Sequence, residues 1–139
     1  PRSGKSTLSR ELSARYHAPI VNQDAIRLSL HGRRYAAPAE PFVKAISAVM
    51  IRSLFLSGHE VVICDETNYS RAARDARRDD DVWRTLFCVV PTGPEVCIER
   101  AVATDQLDLI PVIEEMWRRF DPLKADEEVY HEETHGHTL

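Results

Sequence analysis

Residues 1–7 read Pro1-Arg2-Ser3-Gly4-Lys5-Ser6-Thr7, and the interpretation of the whole chain turns on them. They match the second half of the pattern GxxxxGK[ST]. The first glycine of that pattern would fall two residues before Pro1, and the strand that feeds such a loop would come before it. Two expectations follow: either that strand lies outside the residues in hand, or Gly4-Lys5-Ser6 is a chance tripeptide at a helix start. Physical chemistry favours the first. Gly4 lets the backbone turn so that successive amide N–H groups converge on phosphate oxygens. The helix that follows at once aims its positive end at the same place. Lys5 then reaches the outer phosphates of a triphosphate, and the Ser6 hydroxyl reaches Mg²⁺. Ser3, Gly4, Lys5, Ser6 and Thr7 are thus the candidate phosphate-binding residues.

Working outward, the pattern predicts a helix from Lys5 to Tyr16, with Leu8, Leu12 and Arg15 on neighbouring turns. Ala18-Pro19 breaks it, and Ile20-Val21 reads as a short strand. Asp24 is placed to cap a helix running through Leu30, which Gly32 stops. The polar segment 33–41, with two prolines, reads as a loop. Phe42 to Ser57 carries the plainest helical period, with Phe42, Val43, Ile46, Val49, Met50 and Leu54 on its apolar face and Gly58 as terminator. Glu60 to Cys64 and Arg84 to Val90 are short apolar runs of the kind buried in a parallel sheet. Ser70 caps a charged helix from Arg71 to about Asp79, Pro94 opens one through about Ala103, and Pro111 opens another over Val112 to Phe120. Strands alternating with helices imply an α/β fold: a three-layer sandwich around a mainly parallel sheet, its first strand missing or outside the given sequence. Residues 1–122 form the domain, and 123–139 an acidic, histidine-bearing tail, loosely held.

In such folds ligands bind beyond the carboxyl ends of strands. Two clusters fall there. The first is Val21-Asn22-Gln23-Asp24-Ala25-Ile26-Arg27. A carboxylate at a strand end can take the proton of an attacking hydroxyl. Arg27, one helical turn on, can face the same space and hold an anion. The competing reading makes Asp24 a helix cap and Arg27 its surface partner. The second cluster is Cys64-Asp65-Glu66-Thr67-Asn68. An apolar strand ending in aspartate is the pattern that orients Mg²⁺, often through water, and Thr67 and Asn68 add neutral hydrogen-bonding groups. The competing reading is a polar turn.

Together, the GKS loop, the Asn22-x-Asp24…Arg27 element and the strand ending in Asp65-x-Thr67-Asn68 resemble the kinase domain of bacteriophage and bacterial polynucleotide 5′-kinases. They also resemble the broader group of small P-loop kinases with AAA-like ATP-binding domains. The likeness runs from Pro1 to about Phe120. It implies that Lys5 and Ser6 hold the phosphates of ATP and Mg²⁺. It makes Asp24 the general base, puts Arg27 on the acceptor's phosphate, and has Asp65 organise the metal or acceptor site. The segment Phe87 to Ala103 matches the approach to the family's lid. Ile110-Pro111-Val112-Ile113 with Met116 matches the helix after it. Arg100 takes the place of the first of two lid arginines that bind the donor phosphates. The second falls on the uncharged Thr104, a departure that lowers the expected rate unless Arg118 or Arg119 substitutes.

Three functions stay open: transfer to the 5′-hydroxyl of a single-stranded nucleic acid, transfer to a small sugar, nucleoside or antibiotic, and nucleotide binding without catalysis. The oligomeric state has no signal in the sequence. A chain of 139 residues with 43% hydrophobic and 29% charged residues is ordinary globular composition. The net charge of −4 argues against a surface coated in basic charge for duplex binding. No apolar stretch approaches the ~20 residues that span a bilayer, and the polar start carries no signal peptide. Three widely spaced cysteines suit a reducing cytoplasm, with Cys64 and Cys88 as core thiols. Arg71, Arg74, Arg77 and Arg78 read as a solvated helix with internal ion pairs. His131, His135 and His137 read as exposed tail residues, and Trp83 and Trp117 as packing residues.

Overall fold

The computed structural model describes residues 2–135. They divide into two compact units, one of Ser6–Glu66 and one of residues 2–5 with 67–135. His137 lies outside the described residues.

The first unit contains β1 (Ile20–Asn22) and β2 (Ile63–Asp65), paired in parallel with Ile20 opposite Ile63, Val21 opposite Cys64 and Asn22 opposite Asp65. Parallel neighbours need a long crossover. Here it consists of α2 (Gln23–His31), a 3₁₀ turn over Ala37–Ala39 and α3 (Glu40–Leu56). The preceding helix α1 (Lys5–Tyr16) has the predicted bounds. Helix α3 packs on β1 and on α2. Its buried stripe is Val43, Ser47 and Ile51, spaced four residues apart as one helix face requires. That corrects the expected stripe: Phe42, Val49 and Met50 are exposed. Many apolar residues on α3 made the period ambiguous, and contact with the β1 layer chose the face. The helix also begins earlier than expected, at Glu40, because Pro41 suits a first turn. Gly32 and Gly58 both adopt left-handed conformations just past helix ends, at φ 68° and 99°.

In the second unit α5 (Pro94–Ala103) and α6 (Ile110–Arg118) pack through Cys97, Ala101 and Ile113, with Ile98 and Leu109 alongside. Helix α4 is short, Arg71–Asp75, and is capped as predicted by the Ser70 hydroxyl, which accepts from the Ala73 amide at 3.2 Å. The expected strand over 84–90 is corrected. It supplies one parallel bridge, Phe87 to Val129, in which the Phe87 amide donates to Glu128 and the Tyr130 amide to Phe87. An apolar run becomes a strand only beside an open strand edge, and this run meets the C-terminal segment instead. Cys88 is exposed, not a core thiol, and Trp117 is exposed as well. The sheet of the described residues is therefore two-stranded, and the α/β class with parallel pairing stands.

Residues 123–135 are not loosely held. Glu127 is buried and accepts from Arg74 Nε at 2.5 Å and from Arg74 Nη2 at 3.1 Å. Arg71 grips both oxygens of Asp126 at 2.7 and 2.8 Å, and Arg78 adds a third contact to Asp126. Arg84 pairs with Glu128. Arg71, Arg74, Arg78 and Arg84 thus pair with a distant acidic run, while Arg71 also keeps the expected internal pair, to Asp75 of its own helix at 2.8 Å. His135, in α7 (Glu132–His135), is buried against the Tyr130 ring, with Glu128 3.2 Å from its Nε2. It was expected to be exposed.

Candidate functional site

Within the unit of Ser6–Glu66, side chains converge at the carboxyl ends of both strands. Asp65, the last residue of β2, is 5% exposed. Its Oδ2 accepts from the Ser6 hydroxyl at 2.8 Å and from the Asn22 side-chain amide at 3.0 Å. The parallel register sets the second contact, because it places Asn22 opposite Asp65. The structure therefore joins the motif serine to the strand-end aspartate, 59 residues apart in sequence. Ser6 and Thr7 are exposed in the first turn of α1.

Asn22 also caps α2: its side-chain oxygen accepts from the Ala25 amide at 2.9 Å. This corrects the expectation that Asp24 is the cap. Relieved of that duty, Asp24 sits in the first turn with its side chain 58% exposed. Arg27 Nη1 donates to Asp24 Oδ1 at 2.7 Å. The rest of the Arg27 fork is engaged elsewhere, with Nε and Nη2 donating to Glu40 at 2.7 and 2.8 Å and Nη2 also to Gln23 at 3.2 Å. The Glu40 carboxylate raises the Arg27 pKa, and Arg27 in turn holds Glu40 below the usual carboxylate range.

Within the other unit, the loop of residues 2–4 has a left-handed turn at Arg2 and at Gly4, with φ 60° and 95°. Two side chains fix it: Thr92 donates to the Ser3 carbonyl at 2.7 Å, and Arg100 Nη1 donates to the Arg2 carbonyl at 3.0 Å. A Cβ built on Gly4 would lie 3.7 Å from that Arg100 nitrogen. Lys5, partly exposed, begins α1 directly after this turn. Thr104 closes α5, its hydroxyl donating to the Arg100 carbonyl at 2.7 Å. Arg118 and Arg119 both pair with Glu115 of their own helix. Thr67 is exposed, and the Asn68 carbonyl accepts from Arg74. These two residues belong to this unit, whereas Asp65 belongs to the other.

Three participants had no assigned role in the sequence reading. Asn22 stood inside a quoted cluster, and its place at a strand end was the available signal. Glu40 and Thr92 had none, since each meets its partner only through the fold.

The site can be tested against a nucleotide with Mg²⁺. A hydroxyl and a carboxylate 2.8 Å apart are hard oxygen donors suited to that ion. Among the described residues there is no group of three or more His, Cys, Asp or Glu that could hold a metal. One carboxylate with the phosphates themselves is enough to carry that ion. The residues present fit the group. No helix among the described residues is long and apolar enough to cross a membrane.

Nucleotide-binding domains of the P-loop kind join a GK[ST] helix start to an acidic strand tip in this way, and that is the class the fold and site define. The match to an AAA domain family model over residues 1–122 agrees, and the chain belongs to that family. The family is P-loop NTPase-like and includes kinases, and a domain of this kind implies nucleotide binding. No curated protein matches the sequence.

Proposed function

We propose that the protein is a phosphotransferase that moves the γ-phosphate of ATP to a hydroxyl group. The observation that carries this reading is the Ser6–Asp65–Asn22 constellation at paired strand ends, two residues before Asp24. Ser6 and Asp65 would hold Mg²⁺, which when bound neutralises charge on the phosphate oxygens. The amides around Gly4 and the Lys5 ammonium would hold the phosphates, with Ser3 and Thr7 flanking them. Asp24 accepts the proton of the acceptor hydroxyl as the new O–P bond forms and the bond to the β-phosphate bridging oxygen breaks, releasing ADP. Arg100 serves the donor phosphates, and Thr67 and Asn68 border the acceptor.

The preferred acceptor is a 5′-hydroxyl at a single-stranded nucleic-acid end, on the combined pattern of Asn22-x-Asp24…Arg27 and Asp65-x-Thr67-Asn68. A small hydroxyl compound is the second reading. It is favoured by the pairing of Arg71, Arg74, Arg78 and Arg84 with Asp126, Glu127 and Glu128, which occupies the arginines that could border a polyanion.

The test is transfer of label from γ-labelled ATP to 5′-hydroxyl oligonucleotides and to a panel of sugars and nucleosides. Oligonucleotide labelling that Lys5→Ala and Asp24→Asn each reduce by a factor of about 10² or more supports the first reading. Labelling of small compounds alone supports the second. ATP binding with no turnover on any acceptor would leave a nucleotide-binding module.

A further inference from the structure

We infer that Glu40 is a positioning residue for the phosphoryl-transfer step, acting through Arg27 on Asp24; this rests on the phosphotransfer reading above. Glu40 lies in the first turn of α3, where the helix dipole favours an anion and Pro41 stiffens the backbone. Its side chain is 11% exposed and that of Arg27 15%, against 58% for Asp24. Arg27 therefore links a sheltered carboxylate to an open one.

A guanidinium is planar, and two parallel N–H···O bonds to one carboxylate fix both its position and its plane. Glu40 makes that two-point contact, at 2.7 and 2.8 Å, through Nε and Nη2. Nη1 is then fixed in the same plane, and one of its two N–H bonds meets Asp24 Oδ1 at 2.7 Å. Gln23 strengthens the arrangement by accepting from Nη2 while its own amide donates to the buried Ser47 hydroxyl at 3.4 Å. One oxygen of Asp24 is thereby held, while the carboxylate stays accessible to an incoming hydroxyl. These contacts occupy four of the five N–H donors of Arg27, and they assign it to the orientation of Asp24.

The experiment is steady-state and single-turnover kinetics of ATP-dependent transfer with the full chain. It compares wild type, Glu40→Gln, Arg27→Lys, Asp24→Asn and the Asp24→Asn/Glu40→Gln double variant. Acceptors with and without a phosphate next to the reacting hydroxyl are used. Misplacing a reacting group by about 1 Å costs on the order of 10²-fold. The expectation for Glu40→Gln is accordingly a kcat loss of about 10- to 100-fold, with KM for ATP unchanged and equal loss on both acceptors. On the Asp24→Asn background the same substitution adds nothing, because Glu40 acts only through that carboxylate. A residue that merely supports the fold would instead lower the rate by the same factor on both backgrounds.

Full activity of Glu40→Gln, multiplicative losses in the double variant, or a loss confined to KM for phosphate-bearing acceptors would each overturn the positioning role. They would leave the phosphotransfer reading intact. Failure of wild type to phosphorylate any acceptor would overturn both. Should Glu40→Gln fail to fold by circular dichroism, Glu40→Asp, which keeps the charge and shortens the reach, takes its place with the same criteria.

Discussion

Asn22 shows how much one side chain can carry when the backbone puts it at the end of a strand. Its oxygen caps α2 and its nitrogen holds Asp65, so both ends of the amide are used. Removing the side chain takes away a helix cap and a bond to a buried carboxylate together. Asn22→Ala is expected to destabilise the protein by about 1–2 kcal/mol. Urea unfolding checks this through a lower midpoint at unchanged slope. An aspartate in its place would keep the cap but set two carboxylates against each other, so Asn22→Asp serves as the control and falls at least as far. Motif and strand end alone pointed to Ser6 and Asp65, which the fold brings to 2.8 Å. The two jobs of Asn22 became visible only through the register.

Among the elements, helix ends were the most legible and strands the least. Helix α1 had its predicted bounds, and Gly32, Gly58 and Ser70 terminate or cap helices as their chemistry suggests. Each of these signals acts within a few residues, through local hydrogen bonds and backbone freedom. Gly32 provides a test. It holds φ 68°, and a Cβ added there would meet no atom within 4 Å, so any penalty is conformational, not a clash. Gly32→Ala should cost about 1 kcal/mol, read as a shift in the thermal unfolding midpoint. The run 84–90 has strand composition yet makes a single bridge, because strand formation depends on which edge is within reach.

At the scale of the whole molecule, the C-terminal acidic run is the chief surprise. A charged, polar stretch read as a loosely held tail supplies the buried partner of Arg74, whose side chain is 2% exposed beside a fully buried Glu127. Breaking one side of a buried pair strands the other charge. Glu127→Gln is therefore expected to destabilise by about 3 kcal/mol, measured by urea unfolding. The same carboxylates predict an acid response. Arg71 and then Arg78 hold Asp126 well below the usual carboxylate range, Arg74 does the same to Glu127, and Arg84, followed by His135, to Glu128. Groups depressed in the folded state add stability above their unfolded values, and lose it as pH falls through their folded ones. Stability should hold from neutral pH to about pH 5 and decline below the ordinary carboxylate values near 4. A flat profile of unfolding midpoint from pH 7 to pH 3 would contradict this.

Composition, motif spacing and local stop signals were enough to establish the α/β class, the bounds of α1, the stops at Gly32 and Gly58 and the acidic end of β2, because each depends on neighbours a few residues away. Which face of α3 is buried, which edge the run 84–90 meets, that Glu40 clamps Arg27 and that Glu127 neutralises Arg74 were decided by the folded chain. Those pairings join residues 13 and 53 apart for the two ion pairs. Their strength comes from desolvation and two-point geometry, which exist only once the intervening chain has packed.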